Sequence, residues 1–357
     1  GVLNVLAGGP YHSGLSTYFL PVTRDFGLNR SATSLAYGLA RLVSGIGGPP
    51  LGYLVDRLGP RTVIAFGGVM AGLGFILLAL THNFAAFLLV YVGVLSVGVN
   101  AGFNHGIMAM VNQWFVRGSG LAMSIVTLSI AVGGAVVTPA IAFIVLNLGW
   151  RPAAAISGAV IIAAVAPLSI VIRRSPESVG LLPDGNRGPQ SALQGLSATQ
   201  ASRFARYYTT VDSTAKEAFR TKTYWLLATA TGLRIAAPTG VFVHLVPLMV
   251  WKGQSEATGV FVVSFVAFTS IPLRVLLGWL GDKWAKQKIV GITVLLGAAS
   301  LAILLQSGGE LWQLLIFAAL FAFSEGVDGL SWSLVGDFFG RKSFATNRGG
   351  ITTVASF

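Results

Sequence analysis

The chain has 357 residues, of which 54% are hydrophobic and only 10% charged, and its mean hydropathy is +0.74. A water-soluble domain carries roughly a quarter charged residues, so these values exclude one and imply a membrane protein. The formal charge of +12 does not point to nucleic acid, because the cations sit in short loops between apolar runs. With no cysteine, disulfides and thiol chemistry are excluded. Backbone groups find no water in hydrocarbon, so the apolar runs must be helices of ~20 residues. The expected fold is all-α and polytopic, with 45 glycines suited to close helix–helix approach.

Apolar runs set against breakers give spans near 1–22, 33–55, 62–81, 84–112, 119–147 and 152–172. The stretch 173–222, rich in Pro, Ser, Gly, Gln and Arg, has no apolar run and reads as a linker. Further spans follow near 223–250, 256–281, 287–306 and 311–338, and the last begins near 345. About eleven helices are therefore expected, in a first bundle 1–172 and a second, incomplete one 223–357. Phe357 falls inside the eleventh, and a second half matching the first needs the rest of it and one more.

Loops after the second, fourth, sixth, eighth and tenth spans collect 17 of the 24 Lys and Arg, Arg348 and Lys286 among them. The opposite loops hold Arg24, Arg30, Arg151 and Lys252. Cations concentrate on the cytoplasmic side, so these loops and the linker are expected there, in a cell membrane of the bacterial inner type.

Arg41, Arg234 and Arg274 fall inside predicted helices, as do Glu325 and Asp328. Ionisable groups at this depth cost roughly 2.5–3.5 kcal/mol on insertion scales and mark a substrate or proton path by default; the plainer reading is a structural interhelical salt bridge. Glu325 and Asp328, three apart, share a helix face. A pair between Arg274 and one of these acids is expected, with Arg234 a second partner for Glu325. Softer signals are Tyr11 and His12 in the first span, and Asn100, Asn104 and His105 in the fourth. A lone membrane histidine is more often a hydrogen-bond donor than a proton carrier, and paired asparagines serve equally as packing glue.

Two turns recur 226 residues apart, Asp56 to Asp282: Gly52-Tyr53-Leu54-Val55-Asp56-Arg57-Leu58-Gly59-Pro60-Arg61 and Gly278-Trp279-Leu280-Gly281-Asp282-Lys283. They resemble the helix 2–3 and 8–9 loops of the major facilitator superfamily, which implies two six-helix bundles. It also implies a conformational gate of Asp56, Arg57, Arg61, Asp282 and Lys283, in which the aspartates bridge basic residues and helix ends and let go as the halves rock. Asn112-Gln113-Trp114-Phe115, Gly149-Trp150-Arg151, Pro176-Glu177-Ser178 and the run Glu217–Trp225 are similar to monocarboxylate porters and oxalate/formate antiporters.

By that resemblance Arg274 falls on the arginine that binds the substrate carboxylate. Its planar fork suits the task because it gives two parallel bonds and stays charged when buried. Tyr11, His12, Asn100 and Asn104 are the other candidate substrate residues, and Glu325 and Asp328 the candidate proton sites. A helix 11 cation of the antiporter aligns with Ala355, so a single cation is expected and a monoanion favoured. The resemblance implies a monomeric carrier of a small carboxylate, coupled to protons, with neither cofactor nor metal. The rival on the same fold is a proton-coupled exporter of drugs or cationic molecules. A membrane enzyme is disfavoured, since the four histidines form no HExxH motif and no nucleophile elbow is present.

Overall fold

A computed structural model describes residues 1–13, 15–28, 30–185, 212–306 and 308–356. Side chains at 7–9, 12, 13, 15, 16, 19, 20, 30–34, 37 and 243 lie outside that description, His12 included. The described chain is helical: α1 (Asn4–Ser13 and Leu15–Asp25), α2 (Arg30–Ile46 and Gly48–Leu58), α3 (Pro60–Ala79), α4 (Phe84–Trp114), α5 (Ser119–Leu148) and α6 (Trp150–Val171). After short turns at Pro176–Val179, Pro183–Gly185 and Ala215–Phe219 come α7 (Lys222–Trp251), α8 (Glu256–Lys283), α9 (Lys286–Gln306), α10 (Leu311–Phe339) and α11 (Phe344–Ser356). Seven of these are long and apolar enough to cross a membrane, or eight with the bent α7.

Local chemistry explains the irregularities. In α2 the helix is interrupted at Gly47, where Pro49 and Pro50 open its second segment; proline suits a first helical turn because it has no N–H to satisfy. Gly59, at φ 87°, and Pro60 then make the α2–α3 turn nearly as short as a turn can be. In α7 the axis bends 52° between Lys222–Phe242 and His244–Trp251. Pro247 explains the bend, because it offers no N–H to the carbonyl four residues back and its ring crowds that carbonyl. In α10 the break at Val327 makes Asp328 the first residue of a new helical segment, a place where the helix dipole favours a carboxylate.

Two apolar cores result. One draws on α1–α6 and takes in Trp332, Val335 and Phe339 of α10 and Phe344, Ala345 and Ile351 of α11; the other lies within α7–α10. The last helices therefore pack onto the first six at the end that carries the α2–α3 and α8–α9 turns, the clasped end. Two crossings join the sets there. At the α2–α11 crossing a Cβ on Gly48 or Gly349 would fall within 3 Å of the other's carbonyl oxygen, so only glycine permits this approach. At the α5–α8 crossing Gly120 and Gly278 meet in the same manner, with Ser124 beside them.

Candidate functional site

At 1.5 Å per residue, Arg234, Arg274 and Asp328 lie about 18, 14 and 17 Å from the clasped ends of their helices, near the middle of a ~30 Å hydrocarbon layer. Arg234, 9% exposed, donates from its guanidinium to Asp328 across 2.8 Å. The expected direct pair of Arg274 with an acid is not made. Among the described residues Arg274 forms no hydrogen bond or ion pair, and its Nε is buried without an acceptor. It acts on Glu325 and Asp328 through space only. Asp328 is held instead by Arg234, while the two acids remain within electrostatic reach of each other. Asp328 turns to α7, and Glu325 has Arg274 as its leading charged neighbour.

Across from this set, α1, α2 and α4 present a chain of neutral polar groups. The Tyr11 hydroxyl lies 2.9 Å from that of Ser96, which lies 3.0 Å from that of Ser44. The Asn100 amide donates to Ser44 (2.6 Å) and to the Ser96 carbonyl (2.8 Å), and the Asn104 amide donates to Asn100 Oδ1 (2.8 Å). Three of the four sequence candidates in the first bundle thus enter a single network, and the fourth, His12, lies outside the described side chains. Positions 96, 100 and 104 share a face because they are spaced by four, and α4 widens to i→i+5 turns over Val90–Ser96 and Asn100–Gly106, a distortion frequent at functional sites. Ser44 and Ser96 escaped the sequence reading, since a serine in a membrane helix can simply bond its own preceding turn.

Arg348, counted above as a loop cation, is corrected by the structure: it lies in the first turns of α11, 7% exposed. One Nη donates to the Asn104 carbonyl (3.0 Å) and lies 3.3 Å from His105 Nδ1, and the guanidinium stacks 4.4 Å over the Trp332 ring. Arg348 therefore adds a buried cation to Arg234 and Arg274, which the sequence already placed inside helices; all three act on Asp328, whereas Glu325 feels Arg274 and Arg234. Arg41 is exposed on α2 and lies within electrostatic reach of Tyr11. A cavity of about 870 Å³ between α7, α9 and α10 has apolar walls and, of this set, Arg234 at its edge.

At the clasped end Asp56 accepts from the N–H groups of Ala345 (3.1 Å) and Thr346 (2.8 Å) and from the Thr346 hydroxyl (2.6 Å), capping α11. Asp282 accepts from the N–H groups of Gly120 (2.8 Å) and Leu121 (2.9 Å), capping α5. Both aspartates thus hold helix ends, as the resemblance implied, but not the basic residues of their own turns. Arg61 donates to the Ser169 carbonyl, Lys283 lies 3.7 Å over the Trp279 ring, and Arg57 is exposed. Lys286, also counted as a loop cation, is 8% exposed and joins Asp337 (2.9 Å) to Ser119 (2.7 Å).

The start of the linker is fastened here too. Asp184 accepts from the N–H groups of Val116, Arg117 and Gly118, and Glu177 pairs with Arg341 at 2.9 Å. Arg341 in turn donates to the Gln113 carbonyl. Burial pushes the Glu177 carboxyl up, but its bonds from Arg341 and Ser175 outweigh this and hold it below the usual range. The linker cations Arg187, Arg203 and Arg206 lie outside the described residues.

The family model of the Major Facilitator Superfamily matches residues 11–357. The chain is 21% identical to human monocarboxylate transporter 6 over 92% of its own length and 65% of that protein's. It is 24% identical to the oxalate:formate antiporter of Oxalobacter formigenes over 93% of its length and 74% of the antiporter's. It spans less than two-thirds of the length of several relatives, the human one among them. Among solved structures the Escherichia coli fucose:proton symporter FucP superposes with a TM-score of 0.70, at 15% identity, over 99% of this chain and 87% of that one, a likeness of fold.

Proposed function

Because the chain belongs to the Major Facilitator Superfamily, we propose that it is a secondary transporter of a small organic monoanion, a monocarboxylate, carried together with a proton. Two bundles, 1–172 and 223–357, joined by 173–222, would alternate access to a midplane site. The clasped end would face the cytoplasm of a bacterial-type cell, because the cation-rich loops lie there, and the carrier would act as a monomer.

The observation that carries this reading is the Arg274 guanidinium, at mid-depth with no direct partner among the described residues, while Arg234 is already held by Asp328. Three guanidiniums against two carboxylates leave a net charge of +1 (3 − 2), which one carboxylate neutralises. Arg274 binds the cargo, with Asn100, Asn104 and Tyr11 facing it from the first bundle. Protonation of Glu325 removes the leading charge competing for Arg274, so proton and anion enter together; Asp328 is the second proton site. The same net charge disfavours a cationic cargo, which would meet three arginines.

The test is uptake of radiolabelled L-lactate or acetate into proteoliposomes with an imposed inward proton gradient. Arg274→Ala should abolish uptake, and Glu325→Gln should lose the response to the gradient while retaining exchange. Unchanged uptake by Arg274→Ala refutes the assignment.

A further inference from the structure

We infer that Arg348 is a positioning residue that carries the state of the Asp328 carboxylate to the clasped end. The inference takes its purpose from the carrier reading above, but what it asserts is a coupling within the protein. Arg348 lies on α11 two residues beyond Thr346, which Asp56 holds, and one before Gly349, which meets Gly48. Any movement of its backbone therefore moves the segment on which the two sets of helices are joined.

Its partners make it a switchable element. A guanidinium has five N–H donors and no acceptor. Here it finds the Asn104 carbonyl and His105 Nδ1, both on α4 and both neutral, while its Nε has no acceptor. The face of the group is covered by Trp332. A buried cation with only neutral partners is poorly compensated. The Asp328 carboxylate lies within its electrostatic reach but is bonded to Arg234. Arg348 thus has two alternatives: neutral acceptors on the first bundle, or a carboxylate on its own.

While Arg234 holds Asp328, Arg348 stays on α4 and ties α11 to the first bundle. When a cargo carboxylate bound at Arg274 also engages Arg234, Asp328 is freed and attracts Arg348, and the tie to Asn104 and His105 is given up. Filling of the midplane site is in this way transmitted to the clasp through one side chain.

The test is a double-mutant cycle on the conformational equilibrium, read with no cargo present. The chain lacks cysteine, so spin labels at Val171→Cys and Lys288→Cys, both exposed, report the spacing at the clasped end in lipid nanodiscs. Arg234→Met, which releases Asp328, should lower the clasped-to-open ratio at least tenfold. In the Arg348→Met background the same substitution should change the ratio less than twofold. If Arg234→Met folds poorly, Arg234→Lys, which keeps the charge but loses the fork, runs the same cycle with a smaller expected shift. An equal shift with and without Arg348, or no shift at all, overturns the inference. A merely structural arginine would lower thermal stability and leave the cycle at zero. Loss of the lactate-uptake reading would leave this result standing, and the reverse holds too.

Discussion

Replacing Asp56 with alanine removes the acceptor for two backbone N–H groups and one hydroxyl at the start of α11. Hydrogen bonds to a charged group contribute ~1.5–3 kcal/mol each, but when the clasp opens water takes over most of that. The measured cost of losing a helix cap, ~0.5–2 kcal/mol, is the better guide, with the helix dipole adding ~0.3–1. About 2 kcal/mol in favour of the clasped form is the resulting figure, or about 30-fold in the equilibrium at 1.4 kcal/mol per tenfold. Distances between labels at Val171→Cys and Lys288→Cys should show that loss in Asp56→Ala. Thr346→Val, which removes only the hydroxyl bond, should show a few-fold change at most. A clasped population in Asp56→Ala within twofold of the parent would refute the argument, since the carboxylate would then be holding nothing.

Three further outcomes follow from the same contacts. Gly48→Val should prevent the α2–α11 crossing from closing, because its Cβ would meet the Gly349 carbonyl below 3 Å; labels should report an open clasped end and transport should fall by more than tenfold. Arg234→Met removes the direct partner of Asp328, whose side chain is 31% exposed, and should cost ~1–3 kcal/mol, seen as a lower melting temperature in detergent, whereas Arg234→Met with Asp328→Leu should recover most of it. Glu177 has its folded value below the ordinary one, so its contribution is fully present above the usual carboxylate value, roughly 4.3, and is lost as pH falls through the lower folded value. Because the pair is half exposed, Glu177→Gln should cost at most about 1 kcal/mol at pH 7, and the gap between its melting temperature and the parent's should close as pH falls below the ordinary carboxylate range.

The helices were legible because hydrocarbon imposes length: the ends expected from apolar runs fall within three residues of those observed for α1 to α11. Asp56 and Asp282 were legible because a carboxylate between two apolar spans has few reasons to exist. Arg348 was not. The first turns of α11 carry Thr346, Asn347, Gly349 and Gly350 beside it, so hydropathy assigns the stretch to a loop, and only packing against Trp332 and α4 puts it inside. The choice of Arg234 over Arg274 as partner of Asp328 was equally hidden. It depends on how each helix is rotated, which a spacing rule within one helix does not supply.

The two clasps obey one relation. Asp56 and Asp282 are 226 apart (282 − 56), and so are Thr346 and Gly120 (346 − 120), whose N–H groups they hold crosswise. The carboxylate of each repeat caps a helix of the other, so the joint is self-complementary in the manner of a two-fold interface. The equivalence is imperfect in a way that decides strength. Asp56 gains the Thr346 hydroxyl, while the matching position opposite Asp282 is Gly120, which has none. On the other side Lys286, bonded to Ser119 and Asp337, adds a cation near Asp282, whereas its equivalent in the first repeat is Pro60 (286 − 226), which carries no charge. Removing the Asp282 carboxylate should therefore open the clasped end less than Asp56→Ala does, with Lys286 still holding α5. Asp282→Ala combined with Lys286→Met should match it. Equal effects of the two single alanine variants would show that the hydroxyl and the lysine contribute nothing, and that the backbone caps alone set the strength of the joint.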